Sequence, residues 1–155
     1  MPDNATPEAQ FDPRDRAQYA DWATASIRYA DLDPNGHVNN GAINEYFEDG
    51  RVRFRNARMA KFGDDILTGF AIARFAVDYH APLGYPGAVD IGTVVKRIGR
   101  TSYVLGQGVF TDDTCIASAE VVTVYFNSDT GASQPLTGEL RSVLEAAMIA
   151  GSDPN

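Results

Sequence analysis

The sequence predicts an α+β domain in which one long helix lies against a single five-stranded antiparallel sheet. Three observations carry that expectation. Residues 40–62 place Ile43, Tyr46, Phe47, Gly50, Phe54 and Ala57 three or four apart, the spacing of one helical face. Four later segments are rich in Val, Ile, Tyr, Phe and Thr and are divided by turn residues, the pattern of strands. One further strand-like segment precedes the helix, so the order is strand, long helix, then four strands in an antiparallel meander.

The elements follow in chain order. Residues 1–20 hold three of the eight prolines and are expected to form a flexible N-terminal extension, mobile or loosely docked. Thr24 to Ala30 reads as the first strand, and the loop Asp31 to Asn39, dense in Asp, Asn, Pro and Gly, follows it. The helix then runs from Asn40 to Phe62, with Arg51, Arg55 and Arg58 mostly on its wet side and Gly63 ending it. Strands are expected at Phe70–Tyr79, Ala88–Ile98, Ser102–Thr111 and Thr114–Asn127. Pro82, Gly84, Pro86 and Gly87 punctuate the first gap, and Gly99-Arg100 and Asp112-Asp113 occupy the next two turns. A last helix starts near Thr137 and aligns Leu140, Val143, Leu144, Ala147 and Met148. The chain thus divides into the extension 1–20, a domain over 21–136, and a C-terminal helix and tail over 137–155. One helix cannot cover both faces of five strands, so a second subunit is the expected cover, in a homodimer or homotetramer.

Whole-chain properties exclude several classes. With 155 residues, 44% hydrophobic and 22% charged, the chain is an ordinary one-domain globular sequence. A net charge of −8 argues against a dedicated nucleic-acid binder, although Lys96 to Arg100 is locally basic. No apolar run approaches the ~20 residues needed to span a membrane. The polar N-terminus does not resemble a secretion signal and the single Cys115 excludes an internal disulfide, so a cytoplasmic location is expected.

The chemistry is concentrated in the loop. Asp31 and Asp33 stand two residues apart in a polar turn that leads straight into a helix. The first N–H groups of a helix have no internal acceptors and carry positive potential. A carboxylate beside such donors suits attack on an activated carbonyl: the donors stabilise the oxyanion, and the carboxylate attacks or activates water. A thioester is a good target because its thiolate leaves easily. The same residues also suit plain capping of turn and helix by Asp31 and Asn39, so both readings stand on spacing alone.

Other constellations are weaker. Asp31-x-Asp33-x-Asn35-Gly36 matches the first half of a calcium loop, but Ala42 stands where the twelfth-position Glu belongs. His37, His80 and Cys115 are too few for a convincing zinc site. His37 is read as holding the loop rather than as a base, and His80 as structural or substrate-lining. No Gly-x-Ser-x-Gly elbow is present. Gly106-Gln107-Gly108 lies within a strand pattern and reads as close packing, and Cys115 as core. Glu45, Glu48 and Asp49 read as solvated or paired with Arg51 and Arg53.

Ile27-Arg28-Tyr29-Ala30-Asp31-Leu32-Asp33-Pro34-Asn35-Gly36-His37-Val38-Asn39-Asn40, followed by Tyr46-Phe47-Glu48-Asp49-Gly50-Arg51, closely resembles the 4-hydroxybenzoyl-CoA thioesterase-like acyl-CoA thioesterases. The resemblance continues through Val77-Asp78-Tyr79-His80-Ala81-Pro82, Arg100-Thr101-Ser102-Tyr103 and Val122-Thr123-Val124-Tyr125-Phe126, covering roughly residues 22–128. It implies a hotdog fold, a long central helix wrapped by the sheet, with active sites between subunits of a dimer or dimer of dimers. It implies Asp33 as the catalytic carboxylate, the Asn40 amide as carbonyl polariser, and His37 as a further site residue. Asn39 and Tyr46 are implied to contact substrate, and Arg97, Arg100, Thr101 and Ser102 to meet the nucleotide end of coenzyme A. No metal or redox cofactor is implied, since coenzyme A is part of the substrate. Asn39-Asn40 departs from the aromatic or His residues of some members, which leaves the acyl group open, and Gly50 replaces the usual Ala as a packing change. A hotdog hydratase or dehydratase, or a non-catalytic acyl-CoA or acyl-carrier binding module, are the alternative functions.

Overall fold

The computed structural model describes residues 11–149. Its strands are β1 (Asp21–Ser26), β2 (Phe70–Tyr79), β3 (Ala88–Ile98), β4 (Ser102–Thr111) and β5 (Thr114–Tyr125), and its helices are α1 (Asn40–Met59), α2 (Asp64–Leu67) and α3 (Gly138–Glu145). All five strands join one antiparallel sheet in the order β1-β3-β4-β5-β2. This corrects the expected meander: only β3-β4-β5 are sequential neighbours, and β2 pairs with β5 rather than with β3. The reason lies in residues 80–87. A segment with two prolines is too long and too stiff for a hairpin, and it crosses the end of the sheet instead.

The sequence places three of the five strands at their observed bounds. The first differs, because Arg28 and Asp31 close a tight turn over Tyr29–Asp31 and stop the strand at Ser26. The last ends at Tyr125 rather than Asn127. Helix α1 stops at Met59 and tightens into a single 3₁₀ turn before Gly63, whose φ of 91° disfavours a side chain.

Helix α1 turns Ile43, Phe47, Gly50 and Phe54 onto the sheet, against residues such as Ile91 and Leu105. A Cβ at Gly50 would overlap the Ile91 side chain, so the packing reading of that glycine is sound. The arginines are less wet than expected. Arg51 is only 6% exposed, and Arg58 is half-buried, its Nε donating to Asp21 at 2.7 Å. Long guanidinium stems at the flanks of a packed helix fold down onto the sheet.

The opposite face of the sheet is covered by residues 11–20, the described part of the expected flexible extension; residues 1–10 lie outside the described residues. Tyr19 is buried where Gly92 and Gly108 leave room, since a Cβ at either would come within 2.6 Å of its side chain. Phe11, Trp22 and Phe110 pack edge-to-face on Tyr19 or on one another. Cys115 joins this cluster as a buried thiol. Among the described residues no helix is long and apolar enough to cross a membrane.

Candidate active site

The loop between β1 and α1 is built by its backbone. Leu32 and Val38 form a bridge, and the Asp33 N–H donates to the His37 carbonyl at 2.7 Å. Gly36 takes φ 79°, the left-handed turn position that a Cβ disfavours. The Val38 N–H donates to the Leu83 carbonyl at 2.8 Å, tying the loop to the crossing segment.

Within this frame Asp33 is half-buried. Its Oδ1 accepts the Asn35 N–H at 2.9 Å and the His37 N–H at 3.2 Å, while no hydrogen bond among the described residues reaches Oδ2. Asn39 caps α1: its Oδ1 accepts the Gly41 N–H at 2.7 Å. The Asn40 N–H, at the first position of the helix, has no acceptor among the described residues. His37 and Asn40 are exposed, and the His37 ring makes no hydrogen bond among the described residues. His37 therefore holds the loop through its backbone, not through its ring.

Asp31, read from sequence as a cap, is the deepest group of the site at 3% exposed. Its Oδ2 accepts the Tyr46 hydroxyl at 2.6 Å and the Arg28 N–H at 2.9 Å. Its Oδ1 accepts Arg28 Nε at 3.1 Å and the terminal Arg28 nitrogen at 2.9 Å. Burial alone would raise its pKa, but the hydrogen bonds from Tyr46 and Arg28 and the guanidinium charge together hold it below the usual carboxylate range. Burial, and then the bond to Asp31, push the Tyr46 phenol upward. The Asp31 carbonyl accepts the Asn39 N–H at 2.8 Å, so this anchor fixes the start of α1. Tyr46, expected to touch substrate, is buried and spends its hydroxyl on Asp31. An Arg-x-x-Asp spacing was the only signal in the sequence that could have shown this anchor; Tyr46 is fifteen residues away and enters through the helix.

Nearby, Tyr79 donates to Asn44 Oδ1 at 2.7 Å. His80 contacts Ser118 Oγ at 2.8 Å through Nε2 and a terminal Arg14 nitrogen at 2.9 Å through Nδ1. A guanidinium only donates, so Nδ1 accepts and Nε2 carries the proton. Burial and the Arg14 charge lower its pKa. His80 is thus structural. Asp49 pairs with Arg53 at 3.0 Å, and Glu45 lies 3.8 Å from Arg28.

Arg97, Arg100, Thr101 and Ser102 lie at the other end of the sheet. Their turn is closed by the Gly99 N–H donating to the Ser102 carbonyl at 2.7 Å and is tied to β5 by the Tyr125 N–H donating to the Thr101 carbonyl at 2.8 Å. Arg97 and Arg100 are exposed. The length of β3, roughly 30 Å, separates this turn from the loop of the same chain. One chain does not bring the two groups together. An open groove between β1 and α1, lined by Trp22, Thr24, Arg53 and Phe54, contains neither. Among the described residues no three His, Cys, Asp or Glu side chains converge as a metal site.

The sequence over residues 27–144 matches the model of the thioesterase-like superfamily. The chain belongs to that superfamily. Several solved structures share its fold. A predicted thioesterase from Bacillus stearothermophilus is 26% identical, with a TM-score of 0.76 over 84% of this chain and 98% of that one. A thioesterase from Thermus thermophilus, solved in complex with coenzyme A and Zn, is 27% identical, with a TM-score of 0.75 over 84% of this chain and 95% of that one. A Pseudomonas aeruginosa protein, 24% identical, has a TM-score of 0.77 over 88% and 97% of the two chains. None of the curated proteins matches.

Proposed function

We propose that this superfamily member is a hotdog-fold acyl-CoA thioesterase, hydrolysing an acyl-CoA to free acid and coenzyme A. The observation that carries the reading is the state of Asp33. One carboxylate oxygen is anchored by two backbone N–H groups and, among the described residues, neither the other oxygen nor the Asn40 N–H at the end of the loop has a hydrogen-bond partner. Oδ2 attacks the thioester carbonyl, or takes a proton from the water that does, while the Asn40 amide stabilises the oxyanion. The C–S bond breaks and the thiolate leaves. If Asp33 attacks, the resulting mixed anhydride is hydrolysed by water.

The related Thermus thermophilus thioesterase, complexed with coenzyme A, supports a CoA substrate. The geometry of β2 supports a site between subunits. It is an edge strand with Ile72 and Tyr79 exposed. Two such edges paired about a two-fold axis run antiparallel, so the Phe70 end of one meets the Tyr79 end of the other. Tyr125, paired with Phe70, holds the Arg100 turn, and the Tyr79 end leads through Leu83 to the catalytic loop. Such a dimer carries the partner copy's basic turn towards the loop.

The test is thiol release from a panel of acyl-CoA thioesters. Asp33→Asn keeps an oxygen for the two N–H anchors, so folding is retained while kcat falls by ~10² or more. Binding without thiol release from any thioester, or an unchanged rate in Asp33→Asn, refutes the reading.

A further inference from the structure

A second constellation lies under the flank of α1 that faces β2. Arg51 is buried, and among the described residues its guanidinium meets Gln107 Oε1, at 3.3 Å, and the face of Phe75, 5.0 Å from the ring centre. Among the described residues no carboxylate lies within ion-pair distance; Glu48, one turn earlier, is exposed. Burial lowers the Arg51 pKa, the Glu48 charge offsets part of that shift and the Arg55 charge adds to it; Arg55, one turn later, is half-buried and makes no ion pair among the described residues. The other helix arginines differ, since Arg53 pairs with Asp49 and Arg58 with Asp21. A buried guanidinium whose nearest acid stays exposed and outside ion-pair distance is costly.

Two hydroxyls complete the set. Tyr103 on β4 and Thr123 on β5 are register partners, both fully buried, and among the described residues neither hydroxyl has a hydrogen-bond partner within 3.5 Å. Such orphans are uncommon in protein interiors. Burial pushes the Tyr103 phenol up to about 12, against the opposing pull of the Arg55 charge, of loose polar contacts with the Thr123 and Arg55 side chains, and of the Arg51 charge, so it stands as a neutral donor. Gln107 also gives its amide N–H groups to the Phe47 carbonyl and Thr93 Oγ1, each at 3.1 Å, which fixes its oxygen towards Arg51.

We propose that Arg51 and Arg55, with the Tyr103 and Thr123 hydroxyls, receive a carboxylate at the far end of the acyl group, which makes the preferred substrates ω-carboxyacyl thioesters. The proposal rests on the thioesterase reading for its substrate. Two guanidinium groups and two hydroxyls offer many donors, and the acceptor they lack is an anionic oxygen. A carboxylate presents two such oxygens in one plane, the geometry of the guanidinium fork. Arg51 stands eleven residues along the helix from Asn40, a rise of about 16 Å, so a long acyl spacer is required within one subunit.

The experiment compares kcat/KM for ω-carboxyacyl-CoA and methyl-terminated acyl-CoA of matched length, across a series of lengths. Parallel calorimetry measures binding of the free dicarboxylic and monocarboxylic acids. The expected preference for the carboxylated partner at the best length is about 10- to 100-fold, the range of a charged hydrogen bond. Arg51→Gln brings that ratio towards one through KM. Tyr103→Phe lowers the ratio with little loss of stability, because no hydrogen bond within 3.5 Å holds its hydroxyl among the described residues. Equal kcat/KM for the two substrate classes, with thiol release intact, overturns this proposal and leaves the thioesterase reading standing. Tighter binding of the dicarboxylic acid with no thiol release from any substrate supports the receptor and overturns the thioesterase reading. Dissociation of an oligomer in both Arg51→Gln and Glu48→Gln, with the substrate ratio unmoved, assigns the counter-charge to a second copy of the chain and overturns the receptor.

Discussion

Tyr46→Phe removes one hydroxyl and leaves the ring, so it isolates the bond that holds Asp31. That bond is 2.6 Å long, runs to a carboxylate, and joins residues 7% and 3% exposed. A hydrogen bond to a charged group contributes about 1.5–3 kcal/mol, and burial places this one at the upper end. For a chain of this size the loss lowers Tm by roughly 3–12 °C. The effect also has a pH signature. The folded pKa of Asp31 is depressed, so its contribution to stability is present above the unfolded value of about 3.9 and is lost as pH falls through the folded pKa. Without the Tyr46 donor the folded pKa moves upward. The gap in stability between parent and variant is therefore full at neutral pH and narrows below about pH 4. Urea titrations of both proteins across pH 3–7 (about one unit apart) measure it. A gap below about 0.5 kcal/mol at neutral pH, or one that does not narrow on acidification, refutes the assignment of Asp31 as a charged anchor.

Three further outcomes are expected. Arg100→Ala raises KM for acyl-CoA with little change in kcat and leaves a short pantetheine thioester unaffected; equal losses on both substrates assign Arg100 to the fold. Gly108→Ala puts a methyl group 2.6 Å from Tyr19 Oη and from Phe110, and costs about 1–3 kcal/mol in denaturant titration. Sedimentation finds at least a dimer, and a stable monomer still active at assay dilution contradicts the shared site.

The strands at 70–79, 88–98 and 102–111 were legible because each is a run of β-formers bounded by Gly, Pro or Asp turns, and the sequence carries both signals locally. The pairing of β2 with β5 was not, because adjacency in a sheet is settled by which edge is still free once β3-β4-β5 have formed. The seat of residues 11–20 was not legible for a similar reason. Their polarity suggested mobility or loose docking, and Phe11 and Tyr19 fit a channel that exists only when Gly92, Gly106 and Gly108 line up across β3 and β4.

The loop chemistry divides the same way. The sequence by itself determined the Asp-x-Asp-Pro-Asn-Gly turn, the helix that follows it and the superfamily, since turn type and cap depend on residues within a few positions of one another. Only the tertiary structure decided that the two aspartates differ. Asp31 is buried because Tyr46 and Arg28 satisfy all of its lone pairs, whereas Asp33 is half-buried with one oxygen unengaged among the described residues. It alone also decided that Arg51 faces the interior while Arg53 reaches a carboxylate and a strand carbonyl. Helical periodicity gives the angle at which a side chain leaves its helix, but the depth it reaches depends on where the sheet beneath begins and ends.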